Sequence, residues 1–130
     1  MSGEILRKQL LTLIKNVSGL HAILITDRDG VPLLKATTDN CPELATRPQF
    51  LATFPVVSHQ AGKLDFGTNQ SLICYYSNFQ LVLINRSPVF LTMIADSDAN
   101  TGQCLSLLKQ MEDLLCELKQ FVDGALSASV

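Results

Sequence analysis

The stretch Leu20-His21-Ala22-Ile23-Leu24-Ile25-Thr26 constrains the fold more than any other part of the chain. In an extended backbone successive side chains point to opposite faces, so Leu20, Ala22 and Leu24 fall on one side and His21, Ile23 and Ile25 on the other. Both faces are largely apolar. Such a strand needs cover on each side and belongs near the middle of a sheet with helices packed over it. Asp27-Arg28-Asp29-Gly30 suits a tight reversal, because Asp bonds its own backbone and Gly accepts a positive φ. Val31-Pro32-Leu33-Leu34-Lys35-Ala36 then runs back, and residues 20–36 read as a β-hairpin. Pro32 has no N–H for a ladder, which places it at the start of its strand or on an edge.

Helical patterns flank this hairpin. Ile5, Leu6, Leu10, Leu13, Ile14 and Val17 form one stripe of a first helix, capped by Ser2 and ending before Gly19. Residues 37–42 are loop by composition, and Pro48 suits the first turn of a second helix running from about 44 or 48 to 61. Phe50, Leu51, Phe54, Val56, Val57 and Ala61 give that helix two overlapping apolar stripes, more than a short helix needs to dock on one sheet. Pro55 removes one i to i−4 bond, so a kink or break is expected there.

Three strands follow at 71–76, 79–84 and 89–95, paired antiparallel, with Ser77-Asn78 as a two-residue turn and residues 85–88 as a second turn. Residues 96–102 cap a last helix carrying Cys104, Leu108, Met111, Leu115, Leu118 and Val122, its band widened by Leu107, Leu114 and Phe121. The order α-β-β-α-β-β-β-α predicts a layered α/β (α+β) fold: a five-stranded antiparallel sheet with one helix on one face and two on the other. The expected division is a single domain over 1–124 and a short flexible tail at 125–130.

Chemistry-bearing patterns are sparse. The net charge of −2 and scattered Lys and Arg argue against a phosphate-tracking surface, hence against nucleic acid. No apolar run reaches the roughly 20 residues that cross a bilayer. Neither a myristoylation nor a prenylation signal is present, so a protein working at a membrane would need a separate tether. Without a secretory signal the default compartment is cytosol or nucleus. Cys41, Cys74, Cys104 and Cys116 form no Cys-x-x-Cys pair and read as reduced, buried thiols. Neither His21 nor His59 has a ligand partner at metal spacing, and Asp27 with Asp29 lacks the remaining ligands of a calcium loop. Ala99-Asn100-Thr101-Gly102 opens a helix, but Asp96 and Asp98 beside it repel anions, so capping is the expected role. No cofactor, metal or catalytic constellation is predicted.

Binding remains. An edge strand beginning at Ser71, with Ile73 and Tyr75 on one face, lies next in sequence to the doubly apolar helix and together they offer a dimer surface. The alternative is that both stripes are covered within the chain.

Gly19-Leu20-His21-Ala22-Ile23, Asp27-Arg28-Asp29-Gly30-Val31-Pro32, Arg47-Pro48, Phe50-Leu51, Thr53-Phe54, Ile73-Cys74-Tyr75-Tyr76 and Ala99-Asn100-Thr101-Gly102 closely resemble a roadblock-type (roadblock/longin-like) domain, that of the MEK-partner scaffold subunits of the Ragulator complex. The likeness covers about Leu6 to Val122. It implies a non-catalytic adaptor that heterodimerises with a second roadblock-type subunit through the second helix and third strand. By position, the partner-facing residues would be Phe50, Leu51, Phe54 and Val57 with Ser71, Leu72, Ile73, Cys74 and Tyr75. It further implies scaffolding of MEK and ERK kinases at late endosomes, support of Rag GTPases for mTOR signalling at lysosomes, and attachment through a lipidated partner subunit. Pro55 departs from the family's uninterrupted helix. Two rival readings stand beside this one, both as homodimers: a small-molecule sensor, whose hollow core with convergent polar groups the tightly apolar strands argue against, and a GTPase regulator, for which no arginine is marked as a catalytic finger although Arg28 and Arg86 sit in turns from which one could project.

Overall fold

A computed structural model describes residues 3–43 and 47–128. Five strands form one antiparallel sheet in the order β2-β1-β5-β4-β3. They are β1 (Leu20–Thr26), β2 (Pro32–Thr37), β3 (Ser71–Tyr75), β4 (Phe79–Arg86) and β5 (Val89–Asp96). The strands whose sequences are apolar on both faces, β1, β4 and β5, occupy the interior, and β2 and β3 form the two edges. Pro32 meets both of its expectations, since it begins β2 and β2 is an edge.

Helix α1 (Gly3–Lys15) lies on one face with α4 (Thr101–Ser106) and α5 (Leu108–Ala128). Leu6, Leu10 and Ile14 of α1 and Met111 and Leu115 of α5 bury Ile23, Ile25, Leu91 and Met93 beneath them. Helices α2 (Pro48–Leu51) and α3 (Thr53–Gly62) cover the other face, where Leu51 and Phe54 meet Ala22, Leu24, Leu81, Leu83, Phe90 and Ile94. Residues 44–46 and the expected cap Ser2 lie outside the described residues.

Two expected helices come in two pieces each. The middle one breaks at Ala52, which puts Pro55 third in α3. In a first turn the missing N–H has no intrahelical partner to lose, whereas in an unbroken helix it would have orphaned the Leu51 carbonyl. The last one is interrupted at Leu107, whose helical backbone N–H is shared among the carbonyls of Gln103, Cys104 and Leu105. Its buried stripe is Cys104, Leu107, Met111, Leu114 and Leu115, while Leu108, Leu118 and Val122 are half-buried and Phe121 is exposed. The stretch expected as a tail is helical as far as Ala128.

The strict alternation predicted for β1 fails at its start. Leu20 pairs with Ala95 and Ala22 with Ile94, so β1 carries one extra residue there, a bulge. Leu20 therefore joins Ile23 and Ile25 in the core under α1. His21 turns to the other face, its ring edge-on to Phe79 at 6.2 Å, with Nε2 2.7 Å from Asp96 Oδ1. The bulge lets a polar side chain from a largely apolar strand reach a carboxylate at the sheet end. The β1–β2 turn forms as expected: Asp27 Oδ1 accepts from the N–H groups of Asp29 (2.9 Å) and Val31 (3.0 Å), and Gly30 has φ +80°. Between β4 and β5, the ladder extends to Arg86 opposite Val89. Residues 85 and 86 are therefore strand, and the turn contracts to Ser87-Pro88.

Candidate partner interface

Strand β3 pairs with β4 alone, and the alternation of an antiparallel ladder fixes which of its backbone groups remain open. The Tyr76 N–H donates to the Phe79 carbonyl at 2.8 Å, and the Asn85 N–H donates to the Gln70 carbonyl at 2.8 Å. With Leu72 opposite Leu83 and Cys74 opposite Leu81, residues 70, 72, 74 and 76 point their N–H and C=O groups at β4. Ser71, Ile73 and Tyr75 point theirs outward. The Ser71 carbonyl is taken by the Asn69 side-chain amide at 3.1 Å. The remaining groups form a short, regular template for another strand.

Side chains complete the edge on two levels. Leu72 and Cys74, half-buried, face α2 and α3, while Ser71, Ile73 and Tyr75 are exposed on the face of α4 and α5. Tyr75 is fixed there by a chain of hydrogen bonds. Thr101 Oγ1 donates to Gln80 Oε1 at 2.6 Å, which leaves its own lone pairs for the Tyr75 hydroxyl at 2.9 Å. Gln80, fully buried, donates in turn to the carbonyls of Asp96 (3.0 Å) and Ala99 (2.8 Å). This support was missed at the sequence level. Its signal was present, a lone amide between Phe79 and Leu81 in the otherwise apolar run 79–84.

Between α3 and the edge runs an apolar groove of about 130 Å³ whose walls include Phe50, Phe54, Val57, Leu72, Cys74 and Tyr76. Its helical wall divides into buried and exposed residues. Leu51 and Phe54 are only 2% and 4% exposed, and Phe54 stacks edge-to-face on Phe90 at 5.5 Å. They anchor α2 and α3 to the sheet and form the inner wall of the groove. Phe50 is half-buried in the same cluster. The apolar surplus is real but sits one stripe round, on Val56 and Val57, with Val56 62% exposed.

Other candidates resolve into structural roles. The Asn100 side chain accepts from the Gln103 N–H at 3.1 Å, which is capping. Arg86 is tied to Glu112 at 3.1 Å. No group of three metal-ligating side chains occurs among the described residues. The cysteines are all free, but the expectation of burial holds fully only for Cys104; Cys41 and Cys74 are half-buried and Cys116 is exposed. Burial pushes the Cys104 thiol above its ordinary range, and it does the same at Cys41 against the opposing pull of Lys35. Both shifts disfavour the reactive thiolate. On titration with a maleimide at neutral pH, Cys116 should label first and Cys104 only on unfolding; mass spectrometry of the digested protein reads the order.

The chain matches the family described as mitogen-activated protein kinase kinase 1 interacting over residues 4–122. It is 48% identical over 120 residues to Ragulator complex protein LAMTOR3 of Danio rerio, spanning 92% of this chain and 97% of that protein. It is 47% identical over 118 residues to the Bos taurus protein of the same name, spanning 91% and 95%. Among solved structures it resembles the gliding protein mglB of Thermus thermophilus, with a TM-score of 0.75 over 92% of this chain and 93% of that one at 13% identity. A Roadblock/LC7 domain from Streptomyces avermitilis gives a TM-score of 0.61 over 81% and 92% at 16% identity. At such identities the likeness speaks for the fold, which is the roadblock fold.

Proposed function

The chain belongs to the mitogen-activated protein kinase kinase 1 interacting family, and from that premise we propose that it is a scaffold subunit of a Ragulator complex, working as one half of a roadblock heterodimer. It is an adaptor and not an enzyme. The observation that carries the pairing is the outward row formed by the N–H groups of Ser71, Ile73 and Tyr75 and the C=O groups of Ile73 and Tyr75, beside a groove and exposed valines that need apolar cover. A second roadblock-type subunit supplies both, its own edge strand continuing the sheet and an apolar helix lying against Val56 and Val57. Of the residues first assigned to the interface, Ser71, Ile73 and Tyr75 bond through the backbone, Phe50, Val57, Leu72 and Cys74 line the groove, and Leu51 and Phe54 form its buried inner wall. A standard interface of about 1,600 Å² lies within reach of such a surface.

No helix among the described residues is long and apolar enough to cross a membrane. On this reading the pair is held at the cytoplasmic face of late endosomes and lysosomes by a lipidated Ragulator subunit, where it helps position Rag GTPases for mTOR signalling and brings MEK and ERK together. Affinity capture of the full chain from cytosol tests the pairing. The expected result is a stoichiometric second small roadblock-type subunit. Recovery of the chain alone, or of a homodimer, would overturn it.

A further inference from the structure

A second concavity lies on the flank of α3 turned away from the apolar groove. Pro55, Ser58, His59 and Gly62, spaced by three and four residues, line it from the helix, whereas Phe54 and Val57 line the groove. Its volume of about 420 Å³ falls in the range of about 300–1,000 Å³ usual for ligand clefts. Its floor is polar and already bonded. Ser58, 4% exposed, donates to Asn69 Oδ1 at 3.2 Å and accepts from the Asn85 amide at 3.1 Å, and Asn85 also donates to the Asn69 carbonyl at 2.9 Å.

The charge of its rim is one-sided. Arg28 from the β1–β2 turn, His59 from α3 and Lys63 just beyond its end converge on this space from separate elements. Among the described residues none of the three forms an ion pair, and no carboxylate lines the cleft; Asp27, Asp29 and Asp65, adjacent in sequence, are not part of its wall. Lys63 at a helix C-terminus offsets the local negative end of the dipole, but Arg28 belongs to another element and has no such role. In a chain of net charge −2, a cleft whose only charge-bearing wall residues are Arg28, Lys63 and His59 selects for anions.

We infer that this cleft binds an acidic segment of a partner protein, its carboxylates held by Arg28 and Lys63 with the ring N–H of His59 as a further donor. Arginine engages a carboxylate with two parallel hydrogen bonds, which gives such a site orientation as well as charge. The inference does not rest on the pairing proposed above, because the opposite flank of α3 carries that interface.

The test is fluorescence anisotropy of the full chain with a short fluorescein-labelled peptide alternating Glu and Ser, and with its phosphoserine counterpart in which Gln replaces Glu. The glutamate peptide should bind, more weakly as salt rises. Arg28→Glu with Lys63→Glu should weaken it about tenfold or more. Lys8→Glu with Lys119→Glu, an equal charge change on exposed faces of α1 and α5, should leave it within about twofold. If the cleft reversal does not fold by circular dichroism, Arg28→Gln with Lys63→Gln takes its place with the same expected loss. Absence of binding, equal weakening in both double variants, or binding of the phosphoserine peptide alone would overturn the assignment.

Discussion

Ile73→Pro is expected to weaken pairing with a second roadblock subunit about a hundredfold while leaving the chain folded. The Ile73 N–H points away from β4, so proline removes no hydrogen bond from within the chain. Proline is tolerated on edge strands in this orientation, and the cost to the lone chain should stay within about 1 kcal/mol. Across the interface the same ring removes a donor and clashes with the incoming strand. A loss of about 3 kcal/mol there is roughly a hundredfold in Kd. Leu72→Pro reverses the pattern: its N–H bonds β4 opposite Leu83, so the about 3 kcal/mol falls on the fold itself. Thermal midpoints of the two lone variants and sedimentation of each with the partner separate the cases. Equal pairing by wild type and Ile73→Pro would show that β3 is not the contact.

Phe54→Asp should unfold the chain, not merely uncouple it. The ring is 4% exposed and packed on Phe90, and truncating a buried aromatic costs about 3–5 kcal/mol. Burying a carboxylate in its place adds several kcal/mol more. Against the about 5–15 kcal/mol that holds a domain together, little native protein should remain by far-ultraviolet circular dichroism. Val57→Asp, on the exposed stripe, should keep a native spectrum and lose only partner affinity. A native Phe54→Asp chain that fails to pair would return Phe54 to the interface.

These two residues show where sequence reasoning reached and where it stopped. The two apolar stripes of the middle helix are visible in the spacing of Phe50, Leu51, Phe54, Val56 and Val57. Which stripe meets the sheet is decided by how α3 enters after the break at Ala52, and that direction depends on tertiary contact with Phe90. The interior strands were legible because apolarity on both faces admits one kind of place in a sheet. The β1 bulge was not, because the contact it permits lies 75 residues away in sequence, where Asp96 meets His21. The same holds for the cationic cleft. Arg28, His59 and Lys63 read singly as a turn residue and helix-end charges, and only the fold brings them to one rim.

The open edge of β3 is tested most directly by residue-resolved amide hydrogen exchange on the chain, alone and saturated with its second roadblock subunit. Leu72 and Cys74, bonded to β4, should be protected in both samples. Ser71, Ile73 and Tyr75 should exchange freely in the lone chain and slow by orders of magnitude in the pair. If their amides still exchange freely in a complex shown to be saturated, the sheet does not continue across the two subunits and the pairing account fails.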